Sequence, residues 1–417
     1  MKIINFRSLI FIFALLFSIT NVCAGEEIST KPVAEFEGGK LYKNGPVDIV
    51  VLEGTYRQMG RQYGTLLSGK IKEFYTLLEN SFVKSGLFTS EQIRNFISKP
   101  SLLGYPKRYS EFLSGVSDTI GLSMDSVVMV NENMSLMISA RRMGGGNATS
   151  CTSMSVWDKY TKESATITAR DLDFPVFYRE VAKKFAVITI LKPSDGSNFV
   201  GGVGFAGSTS FSDAMNSRGI YTQTNNGAAT EGLVTYSDRP NIQAEIINLL
   251  FDCDTVDAFE KRLRGLRSNY PLIIMGADQH ETRYFENGTS AMRVRHAENK
   301  GIIAAGNQFL NPEWGITVMP TPGAWFSEAR RENILKAAEK YKGKIDEAIM
   351  KQLMDMRLFD KNGKLSDGFA VFERMPHDDE VTVYQVVTSP KNLRIWMRIP
   401  TFTEWLKFDL KDFFKQY

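Results

Sequence analysis

The sequence predicts an α+β fold, a layered architecture with a helical N-terminal part, and three observations carry that prediction. From residue 55 to 142 apolar residues recur at helical spacing. A glycine-rich polar segment, residues 144–150, then interrupts the pattern. After it, strand-length apolar runs follow in quick succession with helical stretches between them. Composition agrees: 417 residues, 43% hydrophobic and 23% charged, describe a folded chain and exclude a disordered, collagenous or coiled-coil one.

The N-terminus comes first. Lys2 and Arg7 precede an apolar run at residues 9–19 (LIFIFALLFSI), followed by Val22-Cys23-Ala24. A short basic segment, a brief apolar core and small residues at a cut site describe a secretory signal peptide at residues 1–24, cut after Ala24. A transmembrane anchor needs about 20 apolar residues, more than this run supplies. A lipidated Cys23 fits poorly behind Thr20-Asn21-Val22. The expectation is an exported protein, periplasmic or secreted, with no stable membrane anchor. Removing Lys2 and Arg7 lowers the formal charge from +3 to +1. Duplex binding calls for a clear basic excess, so no nucleic-acid partner is expected.

In the helical stretch, Tyr56, Met59, Tyr63, Leu66, Leu67 and Ile71, then Phe74, Leu77 and Leu78, form amphipathic faces. Thr89-Ser90-Glu91-Gln92 has the pattern of a capping box. Strands are expected at residues 152–157, 165–169, 185–191, 199–202 and 219–224. Helices are expected at 241–266 and 327–341, and further strands at 272–275, 302–305, 382–387 and 393–398. No internal repeat is visible. Gly202-Val203-Gly204-Phe205-Ala206-Gly207 satisfies GxGxxG, but residues 208–215 lead into another strand where a nucleotide loop would open a helix. Asp360-Lys361-Asn362-Gly363 lacks the ligand series of a calcium loop and reads as a turn. Asn133, Asn147 and Asn287 begin glycosylation sequons, relevant only in a glycosylating host.

Three cysteines and three histidines are too few for a disulfide framework or a His-rich metal centre. Loss of Cys23 leaves Cys151 and Cys253, and in an oxidising compartment the ordinary reading of two cysteines is one disulfide. Cys253 lies in helically spaced sequence and reads as a small buried residue. Cys151 stands between the glycine-rich segment and a strand. Arg170-Asp171-Leu172-Asp173 follows at the end of the next strand. An antiparallel pair turning at residues 158–164 would bring Arg170 and Asp173 back beside Cys151. A nearby cation stabilises a thiolate. Two other readings stay open at this point: a structural cysteine with a surface Arg–Asp pair, and a Cys–His pair using His280, His296 or His377.

Gly146-Asn147-Ala148-Thr149-Ser150-Cys151-Thr152-Ser153 with Arg170-Asp171-Leu172-Asp173 resembles the peptidase C45 group. That group includes acyl-CoA:isopenicillin N acyltransferase and belongs to the wider choloylglycine hydrolase and penicillin V acylase class of N-terminal-nucleophile amidases. The resemblance continues in order through residues 53–60 (EGTYRQMG), Met215-Asn216-Ser217-Arg218-Gly219-Ile220 leading to Asn225-Asn226, Gly306-Asn307-Gln308-Phe309, and Ser327-Glu328-Ala329-Arg330. Gln308 stands where a histidine is common.

What the resemblance implies is a four-layered αββα N-terminal-nucleophile sandwich with a helical pro-segment, cut by itself at Ser150–Cys151. Residues 25–150 would become an α chain that stays with a β chain, residues 151–417, as a heterodimer; a higher oligomer is compatible with these features. The freed Cys151 amine, with an ordinary pKa of about 7.7–8.0, would act as base for its own thiol. Arg170 and Asp173 would hold the nucleophile. Asn226, or its neighbour Asn225, and Asn307 would serve the oxyanion or substrate amide, and Arg330 matches a family arginine. The implied reaction is hydrolysis of a small linear, non-peptide N-acyl amide through a Cys151 thioester, with no cofactor and no metal. Acyl transfer to another amine is the alternative within the class. An exported binding protein on the same fold is the alternative outside it.

Overall fold

Two sheets lie face to face with helices over both outer faces, the layered α+β architecture that the sequence pattern predicts and the four layers that the resemblance implies. The computed structural model describes residues 29, 31–143, 150–231, 235–297, 300–317, 323–356 and 380–415. The expected signal segment, the glycine-rich stretch 144–149, Asn147, the 360–363 turn and His377 lie outside the described residues.

The larger sheet has ten strands in the order β1 (Ala34–Phe36), β2 (Gly39–Asn44), β3 (Val47–Gly54), β6 (Ala186–Pro193), β7 (Val200–Phe205), β8 (Asp213–Asn216), β9 (Tyr221–Asn226), β10 (Leu272–Ala277), β11 (Thr282–Asn287) and β12 (Met292–Arg295). The smaller has six: β13 (Ile302–Ala305), β4 (Cys151–Asp158), β5 (Ser164–Pro175), β14 (Glu380–Ser389), β15 (Arg394–Arg398) and β16 (Leu406–Asp409). The ladders described are antiparallel except β3 with β6, which run parallel from Asp48↔Val187 to Gly54↔Pro193. The residues before Cys151 are therefore not only helical. They supply three strands to the sheet completed by the residues after it.

Helices Ile242–Asp252 and Val256–Leu263 cover the larger sheet; Gly323–Lys340 and Glu347–Met354 cover the smaller. Met154, Val156, Ile167 and Ala169 point from β4 and β5 into the second of these layers, against Ile334, Ala337, Met350 and Leu353. The helical run expected at 241–266 is thus two helices. The chain breaks at Cys253, and Thr255 caps the second by accepting from Ala258 N–H. Both Thr55–Gln58 and Thr89–Gln92 form complete capping boxes. Helix Tyr56–Leu66 crosses helix Lys107–Ile120 with backbones almost touching. A Cβ on Gly60 would lie 1.9 Å from the Phe112 carbonyl oxygen, so only glycine fits that crossing. Gly202 and Gly204 belong to β7 and no helix follows them, as expected for a strand and not a nucleotide loop.

Candidate active site

Strands β4 and β5 pair as a hairpin with Cys151 opposite Leu172 and Ser153 opposite Arg170. Side chains alternate along β4. Ser153 and Ser155 face the larger sheet, hydrogen-bonding Tyr284 Oη at 2.7 Å and Thr282 Oγ1 at 2.5 Å. Cys151 shares that face. On β5 the same period sends Arg170 and Asp173 to opposite faces. Arg170 reaches the thiol and Asp173 the helix-covered side, so the two expected partners approach Cys151 from different directions.

Arg170 is fully buried, and both of its terminal nitrogens are engaged. Nη2 donates to Cys151 Sγ at 3.3 Å and to the Thr224 carbonyl at 2.7 Å. Nη1 pairs with Asp213 Oδ2 at 2.6 Å, and that carboxylate also accepts from Tyr221 and Tyr384 hydroxyls at 2.7 and 3.0 Å. Burial pushes the Cys151 thiol above its ordinary value, and the Arg170 guanidinium pulls it back. Asp173 Oδ1 accepts from Thr382 Oγ1 at 2.6 Å. Its own backbone N–H donates to the Ser150 carbonyl at 3.1 Å, the oxygen of the bond preceding Cys151. Burial raises the Asp173 carboxyl to about 6, against the opposing pull of Arg330, Thr382, Arg170 and Arg179.

Asn307 grips the other side of Cys151. Its Oδ1 accepts from Cys151 N–H at 2.9 Å and from Arg330 Nη2 at 2.8 Å, while its Nδ2 donates to the Asn226 carbonyl at 3.0 Å. Arg330 Nη1 adds bonds to the Cys151 carbonyl and Thr152 Oγ1. Ser327 Oγ accepts from Asn307 N–H at 2.8 Å, so Ser327 and Arg330, one helical turn apart, hold the same asparagine. Gly306 makes this approach feasible: a Cβ there would lie 2.3 Å from Ser327 Oγ. With the Ser150–Cys151 bond intact, Asn307 thus holds the backbone nitrogen of Cys151. Strand alternation separates the two β9 asparagines. Asn225 Nδ2 turns between the sheets to Gly306 O and Ser153 Oγ, at 2.9 and 3.1 Å. Asn226 faces a cavity, its Oδ1 accepting from Tyr270 Oη and Ala228 N–H, each at 2.8 Å.

That cavity, of about 650 Å³, is lined by Cys151, Arg170, Thr224 and Asn226 at one station and by Phe88, Ile97, Met134 and Ile138 from the residues before Cys151. Six of the expected residues, Cys151, Arg170, Asp173, Asn226, Asn307 and Arg330, therefore form one cluster, and Ser150 joins it through its carbonyl. Sequence reading missed Asp213, Thr382, Tyr384 and Tyr270. None of them left a signal: Asp213 opens a strand, Asp-Ala-Met-Asn, that is half polar. His280 and His296 are exposed and do not line the cavity. Cys151 and Cys253 are both free thiols, and Cys253 is buried among apolar side chains at the break between its helices. No cluster with metal-ligand composition occurs among the described residues.

No protein-family model matches the chain, and no curated protein matches it. Among solved structures, similarity is found to a mutant conjugated bile acid hydrolase from Clostridium perfringens, at 13% identity and TM-score 0.41, over 64% of this chain and 95% of that one. A Caenorhabditis elegans orthologue of N-acylethanolamine-hydrolyzing acid amidase gives 16% identity and TM-score 0.40, over 58% and 93%. Penicillin V acylase from Agrobacterium tumefaciens gives 12% identity and TM-score 0.43, over 63% and 86%.

Proposed function

We propose that this chain is an exported, self-processing cysteine amidase that hydrolyses small linear N-acyl amides. One observation carries the reading: a buried thiol, held by a guanidinium and opening on a cavity, has its own backbone N–H held by Asn307. In maturation the Cys151 sulfur attacks the Ser150 carbonyl carbon. The carbonyl oxygen takes the negative charge where Asp173 N–H already donates to it. The C–N bond breaks, the nitrogen takes a proton and becomes a free amine, and water hydrolyses the resulting thioester. The amine then accepts the thiol proton in each turnover. Sulfur attacks the substrate amide carbon, the substrate's amine leaves with that proton, and water releases the acyl group as an acid. Asn226, whose side chain lines the cavity, would meet the substrate oxyanion; Asn307 and Arg330, bonded to the amine and backbone of Cys151, would fix them.

Mass spectrometry of the purified protein tests this reading. Wild type should give a fragment beginning Cys151-Thr152-Ser153, and a neutral N-acyl amide should leave its acyl mass on Cys151. Cys151→Ala should stay uncut. Cleavage of that variant at Ser150–Cys151 would assign the cut to a separate protease. A mature N-terminus at Gly25 would support export.

A further inference from the structure

The cavity holds a second charged station, on the wall built by the residues before Cys151. Glu132 joins helices Met124–Asn131 and Asn133–Met143 and is buried. Its Oε1 accepts from Tyr105 Oη at 2.6 Å, Asn131 Nδ2 at 3.2 Å and Asn241 Nδ2 at 3.3 Å; its Oε2 accepts from Ser135 Oγ at 2.7 Å. Every one of these donors is neutral. Of the described residues lining the cavity, Arg170 and Glu132 are the two that carry formal charge, and Arg170 is already matched by Asp213, both about 1% exposed or less. Among the described residues, the cavity therefore presents one acid with no counter-ion. Charged side chains are seldom buried without a partner, because desolvation costs several kcal/mol or more. Burial accordingly pushes Glu132 above its ordinary value, although four donors pull it down.

The donor set solvates an anion and leaves room for one more partner. Both oxygens act as acceptors, and Oε2 receives a single bond where a carboxylate oxygen can take two. The neighbouring wall is otherwise hydroxyl- and amide-rich, with Ser101, Ser139 and Gln243 beside apolar Met134 and Ile138. None of Glu132's partners is a partner of Cys151, so the two stations are separate positions on one cavity.

We propose that Glu132 is the specificity-determining group of this cavity, pairing with a protonated amine of the substrate. The substrate class is then a linear N-acyl amide that carries an ammonium group away from its scissile bond. This rests on the amidase reading, and the experiment keeps the two apart. Two probes are compared by calorimetry on full-length Cys151→Ala protein, which binds without turnover. The probes are identical linear N-acyl amides, one ending in a primary amine and the other in a hydroxyl. The ammonium probe should bind about tenfold more tightly, the step from a hydroxyl hydrogen bond to an ion pair with the same carboxylate. Adding Glu132→Gln should remove that preference while leaving the hydroxyl probe bound within about twofold. Should that variant fail to fold, Glu132→Asp, which draws the charge back by one methylene, should narrow the preference. Equal binding of the two probes, or a preference that survives Glu132→Gln, overturns the proposal. Failure of the amidase reading would show instead as absence of any acyl adduct on wild-type Cys151, a result that leaves the binding comparison intact.

Discussion

Asp173→Asn should make the Cys151 thiol more reactive and the enzyme inactive. Burial holds the Asp173 carboxyl at about 6, where an ordinary aspartate sits at 3.8. A gap of about two units corresponds to roughly 3 kcal/mol between the two protonation states. Because the folded-state value is raised, the native protein takes up this proton first as pH falls. The stabilisation is fully present below about pH 4 and is lost as pH rises through about 6. Asparagine has nothing to titrate, so the change in unfolding free energy between about pH 4.5 and about pH 7.5 should shrink by about 2 kcal/mol in the variant, the part of the full effect that this window spans. Urea titrations at the two pH values read that number. The same carboxylate charge disfavours the neighbouring thiolate, since Asp173 pushes the Cys151 value up while Arg170 pulls it down. The variant thiol should therefore ionise at lower pH and alkylate faster with iodoacetamide. On the nucleophile-holding role that the resemblance implies for Asp173, turnover should nevertheless fall by about 10²–10⁴, the usual size of a general acid–base contribution. The wild-type rate should decline below about pH 6 as Asp173 gains its proton. A folded Asp173→Asn enzyme with near-wild-type turnover and the same acidic limb would refute this reasoning and place the titrating group elsewhere.

Asp213→Asn leaves the Arg170 guanidinium buried without its counter-charge and should cost about 3–5 kcal/mol in chemical denaturation. Asn226→Ala should fold and mature yet lose turnover by about 10²–10³, measured as kcat on any accepted amide. Asn225→Ala, which strips the bonds to Gly306 O and Ser153 Oγ, should instead appear as about 1–3 kcal/mol of lost stability. Cys253→Ala should keep both processing and turnover, with roughly 1 kcal/mol of destabilisation in the same assay. Mass spectrometry that found Cys151 disulfide-linked to Cys253 in active protein would contradict that assignment.

The hairpin that carries Cys151 and Arg170 was legible because its alternation is local: two apolar runs, a polar turn and a strand period of two are enough to set the register. The capping boxes were legible for the same reason. What escaped the sequence depends on contacts between distant segments. Asp213 is an unremarkable acid until β8 lies across from β5, where it meets Arg170. The Ser327–Arg330 spacing stood out as a motif, but its work, two grips on Asn307 from one helix, needs the loop after β13 to pass beneath that helix. Strands β1–β3 were overlooked because the following helical pattern dominates its neighbourhood, and only pairing with β6 makes them a sheet. Asn225 and Asn226 could not be separated by resemblance; strand alternation separates them at once.

The residues before Cys151 bear on function through that same pairing. Seven parallel pairs tie β3 to β6. Arg108 reaches Asp252 at 2.6 Å, and Asn131 Oδ1 accepts from Thr209 N–H at 3.0 Å. Cutting one peptide bond at Ser150–Cys151 breaks none of these contacts, so the two pieces would remain one folded body. The cavity depends on it, since Phe88, Ile97, Glu132 and Ile138 come from one side of that bond and Cys151, Arg170, Asn226 and Tyr270 from the other. A segment that only masked the thiol would have no reason to supply half of the cavity wall and its uncompensated charge. The proposed cut would free an amine without dismantling the cavity around it. On the proposed reading, chemistry and selectivity would be divided between the pieces: the proposed nucleophile and the groups that hold it follow the bond, and the carboxylate proposed to choose the substrate precedes it.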